Sequence, residues 1–61
     1  MEALLGPGDV SEILKVSQAT LRHWRAVGRG PEYLRVGRHV RYRPSAIEEW
    51  LEADRSAAVD L

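Results

Sequence analysis

Positively charged side chains are concentrated in the segment RVGRHVRYRP, residues 35–44, which holds four arginines and one histidine. Guanidinium groups bind phosphate oxygens through paired N–H donors. The chain of 61 residues has a formal net charge of zero. Residues 15–43, however, contain eight of the nine Lys and Arg residues and one of the nine acidic residues, so they carry +7 and the remainder carries −7. Because local potential attracts a polyanion, this distribution favours a polyanionic partner, with double-stranded DNA as the candidate.

A second group of candidate DNA-binding side chains lies in VSQATLRHWRAVG, residues 16–28. If this segment is a helix in the major groove, Gln18 can pair with adenine and Arg22 with the O6 and N7 atoms of guanine. Serine and threonine hydroxyls near a helix N-terminus can hold phosphate. The candidates on this helix are Ser17, Gln18, Thr20, Arg22, His23 and Arg25.

The arginine-rich segment supplies the other candidates, because arginines at a hairpin tip suit phosphates or a narrow minor groove. These wing candidates are Arg38, His39, Arg41 and Arg43. A solvated strand face paired with the acids of the third helix explains Arg35 and Arg43 equally well. A plain turn residue is a close alternative for His39, and an exposed polar residue is one for His23.

Two helices precede the arginine-rich segment. In the first, Pro7 suits the first helical position and Val10, Ile13 and Leu14 form one apolar face. The second helix begins with Ser17 as N-cap and ends before a glycine at position 28. Its apolar face is predicted to contain Leu21, Trp24 and Val27. Only two or three residues separate these helices, which indicates a tight helix-turn-helix.

The apolar period changes to two after the loop signal RGPE, and this change predicts a β-hairpin. A turn through residues 37–39 would place the apolar side chains of the hairpin on one inner face, namely Leu34, Val36, Val40 and Tyr42. An isolated hairpin is unstable in water, so we expect this face to lie on the helices.

The segment PSAIEEWLEAD predicts a third helix. Ser45 and Glu48 have the spacing of a capping box, and the expected buried stripe contains Ile47, Trp50 and Leu51. The order helix, helix, hairpin, helix defines a mainly α winged helix-turn-helix with a small β-hairpin. We expect one domain over 1–61, with an ordered core at about 4–54 and a mobile tail at 55–61.

The aromatic residues fit the core of this domain better than a stacking surface for bases. Helical spacing places Trp24 and Trp50 in the core rather than on exposed DNA. Tyr42 is expected in the core as well, whereas Tyr33 fits either role.

Several functional classes find little support in the composition. The chain has no cysteine, and two histidines do not make a structural zinc centre, so no metal or other cofactor is expected. No nucleophile–base pair is visible, so an enzyme is the least favoured class. No apolar run approaches the ~20 residues that span a bilayer, and the N-terminus does not resemble a signal peptide. We therefore expect no membrane association and a cytoplasmic location in a bacterial or phage-infected cell.

The helix VSQATLRHWRAVG resembles the second helix of MerR-type regulators and of the small excisionase-like winged-helix family. The segment YLRVGRHVRYRPSAIEEWL resembles the wing and closing helix of that excisionase-like family, which includes AlpA-type phage regulators. The resemblance covers about residues 4–53 and departs from the family at the Gly-Pro-Gly-Asp start of the first helix. It implies DNA binding with the second helix in the major groove and the wing on the flanking groove or backbone.

The favoured function is a sequence-specific, DNA-bending accessory factor of excisionase type that helps an integrase excise a phage or mobile element. The winged helix fills most of the 61 residues, which favours this role over a regulator with an effector domain. A minimal transcriptional regulator of the same fold is the main alternative, and a protein-interaction module is a third. Copies bound at repeated neighbouring sites would gain affinity from self-association.

Overall fold

Three helices and one antiparallel hairpin follow one another in the predicted order. The computed structural model describes the backbone of residues 2–59 and the side chains of residues 2–53. The elements are α1 (Pro7–Leu14), α2 (Gln18–Val27), β1 (Leu34–Val36), β2 (His39–Arg41) and α3 (Pro44–Val59). This arrangement confirms the winged helix-turn-helix fold.

The first helix starts and stops through local hydrogen bonds. Pro7 occupies the first helical position, and the Gly6 N–H donates to Asp9 Oδ2 over 2.9 Å. At the other end Lys15 adopts the left-handed conformation with φ +59°, and the Val16 N–H returns to the Ser11 carbonyl over 3.1 Å. This closure leaves three residues, 15–17, between α1 and α2, as predicted from the sequence.

The second helix ends against a glycine-rich loop. Gly28 caps the helix with φ +74°, which confirms the predicted end. Gly30 also has positive φ, +78°, and a Cβ at this position would lie 2.7 Å from Trp24 Cε3. Only glycine fits at position 30, because any side chain would overlap the indole ring.

The core draws one fully buried side chain from each helix and one from the hairpin. Val10 of α1, Leu21 of α2, Tyr42 after β2 and Ile47 of α3 are at most 3% exposed. Tyr42 is the largest of them, and its backbone forms two 2.8 Å hydrogen bonds with that of Leu5. The N-terminal segment is thereby added to the hairpin edge, a pairing that the sequence did not indicate.

The predicted apolar face of the hairpin is wrong, because the turn is one residue shorter than expected. Val36 pairs with His39, so Gly37 and Arg38 alone form the turn. Directly opposed residues share a face, and Leu34 therefore lies on the side of Arg41 rather than on the side of Val40. A change of one residue in register moves a strand's side chains to the other face, which leaves Val36 49% exposed.

The apolar faces of the helices are also narrower than predicted. Ile13, Val27 and Leu51 are 52%, 52% and 43% exposed, although their spacing matches that of buried neighbours. Trp24 packs against the core cluster, and its ring contacts that of Trp50 at 5.3 Å between centroids, but both rings are only half-buried. The two tryptophans, Ile13 and Leu51 line an open groove between the helices.

The third helix differs from the prediction at both ends. It begins at Pro44, so Ser45 lies inside the helix and is not the N-cap of a box with Glu48. The Ser45 N–H and Oγ–H donate instead to the two carboxylate oxygens of Glu2, over 3.0 and 2.9 Å. The helix runs to Val59 rather than ending near Asp54. The predicted mobile tail, residues 55–61, lies outside the part of the chain whose side chains the structure describes. None of the described helices is both long and apolar enough to cross a membrane.

Candidate nucleic-acid interface

The outward face of α2 carries three of the predicted base-contacting residues. Gln18, Arg22 and His23 are all exposed, and at about 100° per residue they lie roughly 60°, 100° and 160° around the helix from the buried Leu21. Ala19 and Ala26 are exposed on the same face, at about 100° per residue around the helix. Their small side chains let the helix backbone approach a surface closely on either side of Arg22. The sequence analysis missed these alanines because they carry no polar atom, although helical spacing from Arg22 would have placed them.

Ser17 and Thr20 occupy the start of α2 and bond to each other. Ser17 Oγ accepts a hydrogen bond from the Thr20 N–H over 3.1 Å, and the two hydroxyl oxygens lie 3.0 Å apart. One hydroxyl donates to the other, so one hydroxyl proton of the pair remains for a further acceptor. The pair therefore closes the helix start and can offer one donor to a phosphate at the N-terminus of α2.

Arg25 is half-buried, unlike Arg22, and reaches from α2 to the hairpin base. Its Nη1 donates to the Tyr42 hydroxyl over 2.8 Å, and its guanidinium carbon lies 5.8 Å from the centroid of the Tyr33 ring. The sequence predicted Arg25 as a DNA contact and Tyr42 as core, but it contained no signal that joins the two. The bond links residues 17 apart in the chain, on two different elements.

The wing tip presents two of the four predicted wing residues to solvent. Gly37 has φ +63° at the first central position of the turn, as type II′ hairpin turns require. Arg38 follows at the second turn position, and His39 begins β2. Both side chains are exposed, and no described hydrogen bond holds either of them. They are therefore available to an anionic partner.

Arg41 does not project from the wing as an outward arginine. Its side chain is half-buried, and Nη1 donates to the neighbouring Val40 carbonyl over 2.7 Å. The same Nη1 lies 3.8 Å from the place where a Gly6 Cβ would stand. The guanidinium therefore lies against the start of α1, at the base of the hairpin. The register therefore places Arg41 beside α1 rather than at the wing tip, and the DNA contact predicted for it stays a prediction.

Arg43 also lies at the hairpin base, where its carbonyl accepts hydrogen bonds from the Ala46 and Ile47 N–H groups at the start of α3. The Ser45 backbone and side-chain donors lower the pKa of Glu2, and the positive charge of Arg43 adds to the effect. Arg43 is exposed, but it has an acidic neighbour that the wing tip does not have. The acidic neighbour is thus Glu2 rather than an acid of α3, and the DNA contact predicted for Arg43 stays a prediction.

No described hydrogen bond joins a basic side chain near the hairpin to an acid of α3. Among the described residues, the arginine hydrogen bonds go to the Tyr42 hydroxyl and the Val40 carbonyl, both neutral acceptors. Arg22, Arg35 and Arg38 are exposed without a described hydrogen bond. The positive charge therefore stays open to a polyanion on the recognition helix and on the wing.

Comparison with known proteins agrees with this geometry. No curated protein and no solved structure gives a significant match to the chain. One protein family, described as a helix-turn-helix domain, matches residues 4–55, which include α1, α2, the hairpin and most of α3. The match covers most of the chain and includes every predicted DNA-contacting residue. The chain therefore belongs to this helix-turn-helix domain family, which is a DNA-binding family.

Proposed function

We propose that the protein is a sequence-specific, DNA-bending accessory factor of excisionase type, which assists an integrase in excising a phage or mobile element. It performs no chemistry and acts on chromosomal DNA in the cytoplasm. The observation that carries the proposal is the pair of exposed basic surfaces, one on α2 around Arg22 and one at the wing tip around Arg38. The resemblance of the wing and closing helix to excisionase-like proteins gives the proposal its specific form.

In this proposal α2 lies in the major groove and reads the sequence. Arg22 donates two N–H groups to guanine O6 and N7, and Gln18 pairs with adenine. His23 contacts a neighbouring base edge or phosphate, and Ala19 fits against a thymine methyl group. The Ser17–Thr20 pair and the free N–H groups at the start of α2 hold a phosphate that sets the depth of the helix.

The wing supplies contacts that carry little base information. Arg38 and His39 lie at the end of a two-residue turn and can enter a narrow minor groove or bind its phosphates. Arg41 and Arg43 lie at the hairpin base and are not needed for this contact. Because helix and wing hold the duplex at two separated places, binding favours DNA that curves toward the protein, which is the basis of the proposed bending.

Site selection followed by a bending assay tests this proposal. The full chain would select its preferred sequence from random duplexes, and that sequence would be placed at different positions in fragments of equal length. Position-dependent gel mobility is expected if the protein bends its site. Where an integrase gene lies beside this gene, adding that integrase to a substrate with its attachment sites should give excision that depends on this protein.

A transcriptional regulator of the same fold is the alternative, and the same selected sequence separates the two. Sites that cluster beside a recombination core, with protein-dependent excision, support the excisionase role. Sites within a promoter, with changed transcript levels and no effect on excision, would replace it with regulation.

A further inference from the structure

The Arg25 side chain joins three elements in one polar cluster. Its Nη1 donates to the Tyr42 hydroxyl over 2.8 Å, and its guanidinium carbon lies over the Tyr33 ring, 5.8 Å from the ring centroid. The two tyrosine rings are themselves in contact, with centroids 6.3 Å apart and planes tilted by 54°. Arg25 belongs to α2, Tyr33 precedes β1 and Tyr42 follows β2, so the cluster sits where the recognition helix meets the hairpin base.

This cluster holds a cation without neutralising it. The Tyr42 hydroxyl and the Tyr33 ring are both neutral, so Arg25 keeps its full positive charge. A guanidinium has five N–H donors, and one of them is used on Tyr42. The remaining donors form a rigid fork that matches a phosphate better than a lysine ammonium does.

The position of Arg25 fits a backbone contact rather than a base contact. At about 100° per residue, Arg25 lies some 60° from Arg22, toward the hairpin, and it belongs to the last turn of α2. The N-terminal residues of a recognition helix contact the base edges, so Arg25 is displaced from those edges along the helix as well as around it. The DNA backbone borders the groove that such a helix occupies.

We infer that Tyr42 and Tyr33 are positioning residues that hold the Arg25 guanidinium as a preformed phosphate-binding fork between the recognition helix and the wing. This inference rests on the proposed DNA binding and adds a role for a core residue. Tyr42 is 1% exposed and cannot touch DNA itself. Its hydroxyl holds the Arg25 side chain in one conformation before binding, so that less conformational entropy is lost when Arg25 binds phosphate.

The test measures affinity for the selected duplex at several salt concentrations, using wild type, Tyr42→Phe, Arg25→Ala and the double variant. Tyr42→Phe keeps the ring in the core and removes only the hydroxyl. It should weaken binding about two- to tenfold, the range expected when one long side chain must be immobilised. Its log–log salt slope should match that of wild type because the charge remains.

Arg25→Ala should weaken binding on selected and scrambled duplexes alike and flatten the salt slope by about one unit. The double variant should bind no more weakly than Arg25→Ala, since the hydroxyl acts only through Arg25. Wild-type affinity in Tyr42→Phe, or additive losses in the double variant, would overturn the inference. If the Arg25–Tyr42 bond served folding alone, the variants would have lowered melting temperatures but unchanged DNA affinity among the folded molecules, which would also overturn the inference.

Tyr33 provides a second test that leaves the core untouched, because its ring is 37% exposed. Tyr33→Leu removes the aromatic face and should weaken binding, whereas Tyr33→Phe keeps that face and should bind as wild type does. Equal binding by these two variants contradicts the positioning role of Tyr33. If Tyr42→Phe does not fold, the comparison of Tyr33→Leu with Tyr33→Phe tests the inference instead. If wild type shows no salt-dependent DNA binding, the proposed function fails as well, whereas wild-type binding with unaffected tyrosine variants overturns this inference alone.

Discussion

Arg22 is the side chain whose chemistry and position both suit base recognition. It is exposed near the middle of α2, with an exposed alanine before and after it along the helix, and it lies about 100° around the helix from the buried Leu21. A bidentate arginine–guanine contact discriminates against wrong bases by about 1–3 kcal/mol. Among the other arginines whose side chains the structure describes, none combines an exposed helical position with exposed alanines before and after it along the helix.

Arg22→Ala is therefore expected to cost about 1–3 kcal/mol on the selected duplex and far less on a scrambled one. Equilibrium titration of both duplexes at one salt concentration measures the difference. Arg29→Ala is the matched control, because it removes the same charge from an exposed position beyond the end of α2. Equal losses on the two duplexes for Arg22→Ala would show that this side chain touches only phosphate.

Glu2 caps the start of α3, a structural role that no local sequence pattern predicts. Its carboxylate receives the Ser45 N–H and Oγ–H and closes the start of α3 from 43 residues away. The Ser45 donors lower the pKa of Glu2. A lowered pKa in the folded state stabilises the fold at pH values above the unfolded-state pKa, about 4.3 for glutamate, and this contribution is lost as pH falls through the folded-state value.

Glu2→Gln should accordingly lower the melting temperature at neutral pH and reduce the loss of stability between about pH 5 and pH 3. Thermal melting across this pH range measures both effects. Glu12→Gln, at an exposed position on α1, provides the comparison. Parallel pH profiles for wild type and Glu2→Gln would mean that the Ser45 contact does not persist in solution.

The loop between α2 and β1 depends on glycine for two different reasons. Gly28 and Gly30 have nearly the same positive φ, +74° and +78°. A Cβ at Gly28 meets no atom within 4 Å, whereas one at Gly30 would lie 2.7 Å from Trp24 Cε3. The two positions therefore separate backbone strain from steric overlap within one short loop.

Gly28→Ala is expected to destabilise the fold by about 1–2 kcal/mol, the cost of placing a Cβ in the left-handed region. Gly30→Ala should cost about 1–3 kcal/mol more, because the indole must move and its contact with Trp50 at 5.3 Å must change. Urea unfolding of the two variants gives the comparison. Equal destabilisation would indicate that Trp24 does not lie against the loop.

Elements with strong local signals were predicted well from the sequence. The start of α1 and both ends of α2 follow from Pro7, Ser17 and Gly28, whose cap and start geometries act within one turn. The hairpin itself was predicted, but its inner face was not, because one residue in the turn decides which parity of β1 faces inward. Short-range rules specify that a strand exists more readily than its register.

Contacts between distant segments account for the remaining differences. The Glu2–Ser45 cap, the Leu5–Tyr42 pairing and the Arg25–Tyr42 bond each join residues that no periodicity relates. The candidate site was predicted in outline, since the exposed positions of α2 follow from helical spacing. The division of the arginines into exposed and anchored ones required the register and the packing of Arg41 against α1.

At the scale of the whole molecule, the attraction to DNA depends on how charge is distributed along the chain, because the net charge is zero. The chain carries +7 over residues 15–43 and −7 elsewhere. The described arginine hydrogen bonds go to neutral acceptors rather than to the acids of α3, and Arg22 and Arg38 are exposed. A neutral protein of this kind can attract DNA to one side while the acidic remainder discourages other orientations.

The most direct test of simultaneous helix and wing contact is the salt dependence of DNA affinity for wild type and Arg38→Ala. Arg38 lies at the turn without a described hydrogen bond, so its loss should leave thermal melting unchanged. Wild type should give a linear decrease of log affinity with log salt, about 0.9 per phosphate neutralised. Arg38→Ala should flatten that slope by about one unit on selected and scrambled duplexes alike. Wild-type affinity with an unchanged slope would contradict wing contact and identify the arginine-rich hairpin as a surface for another protein.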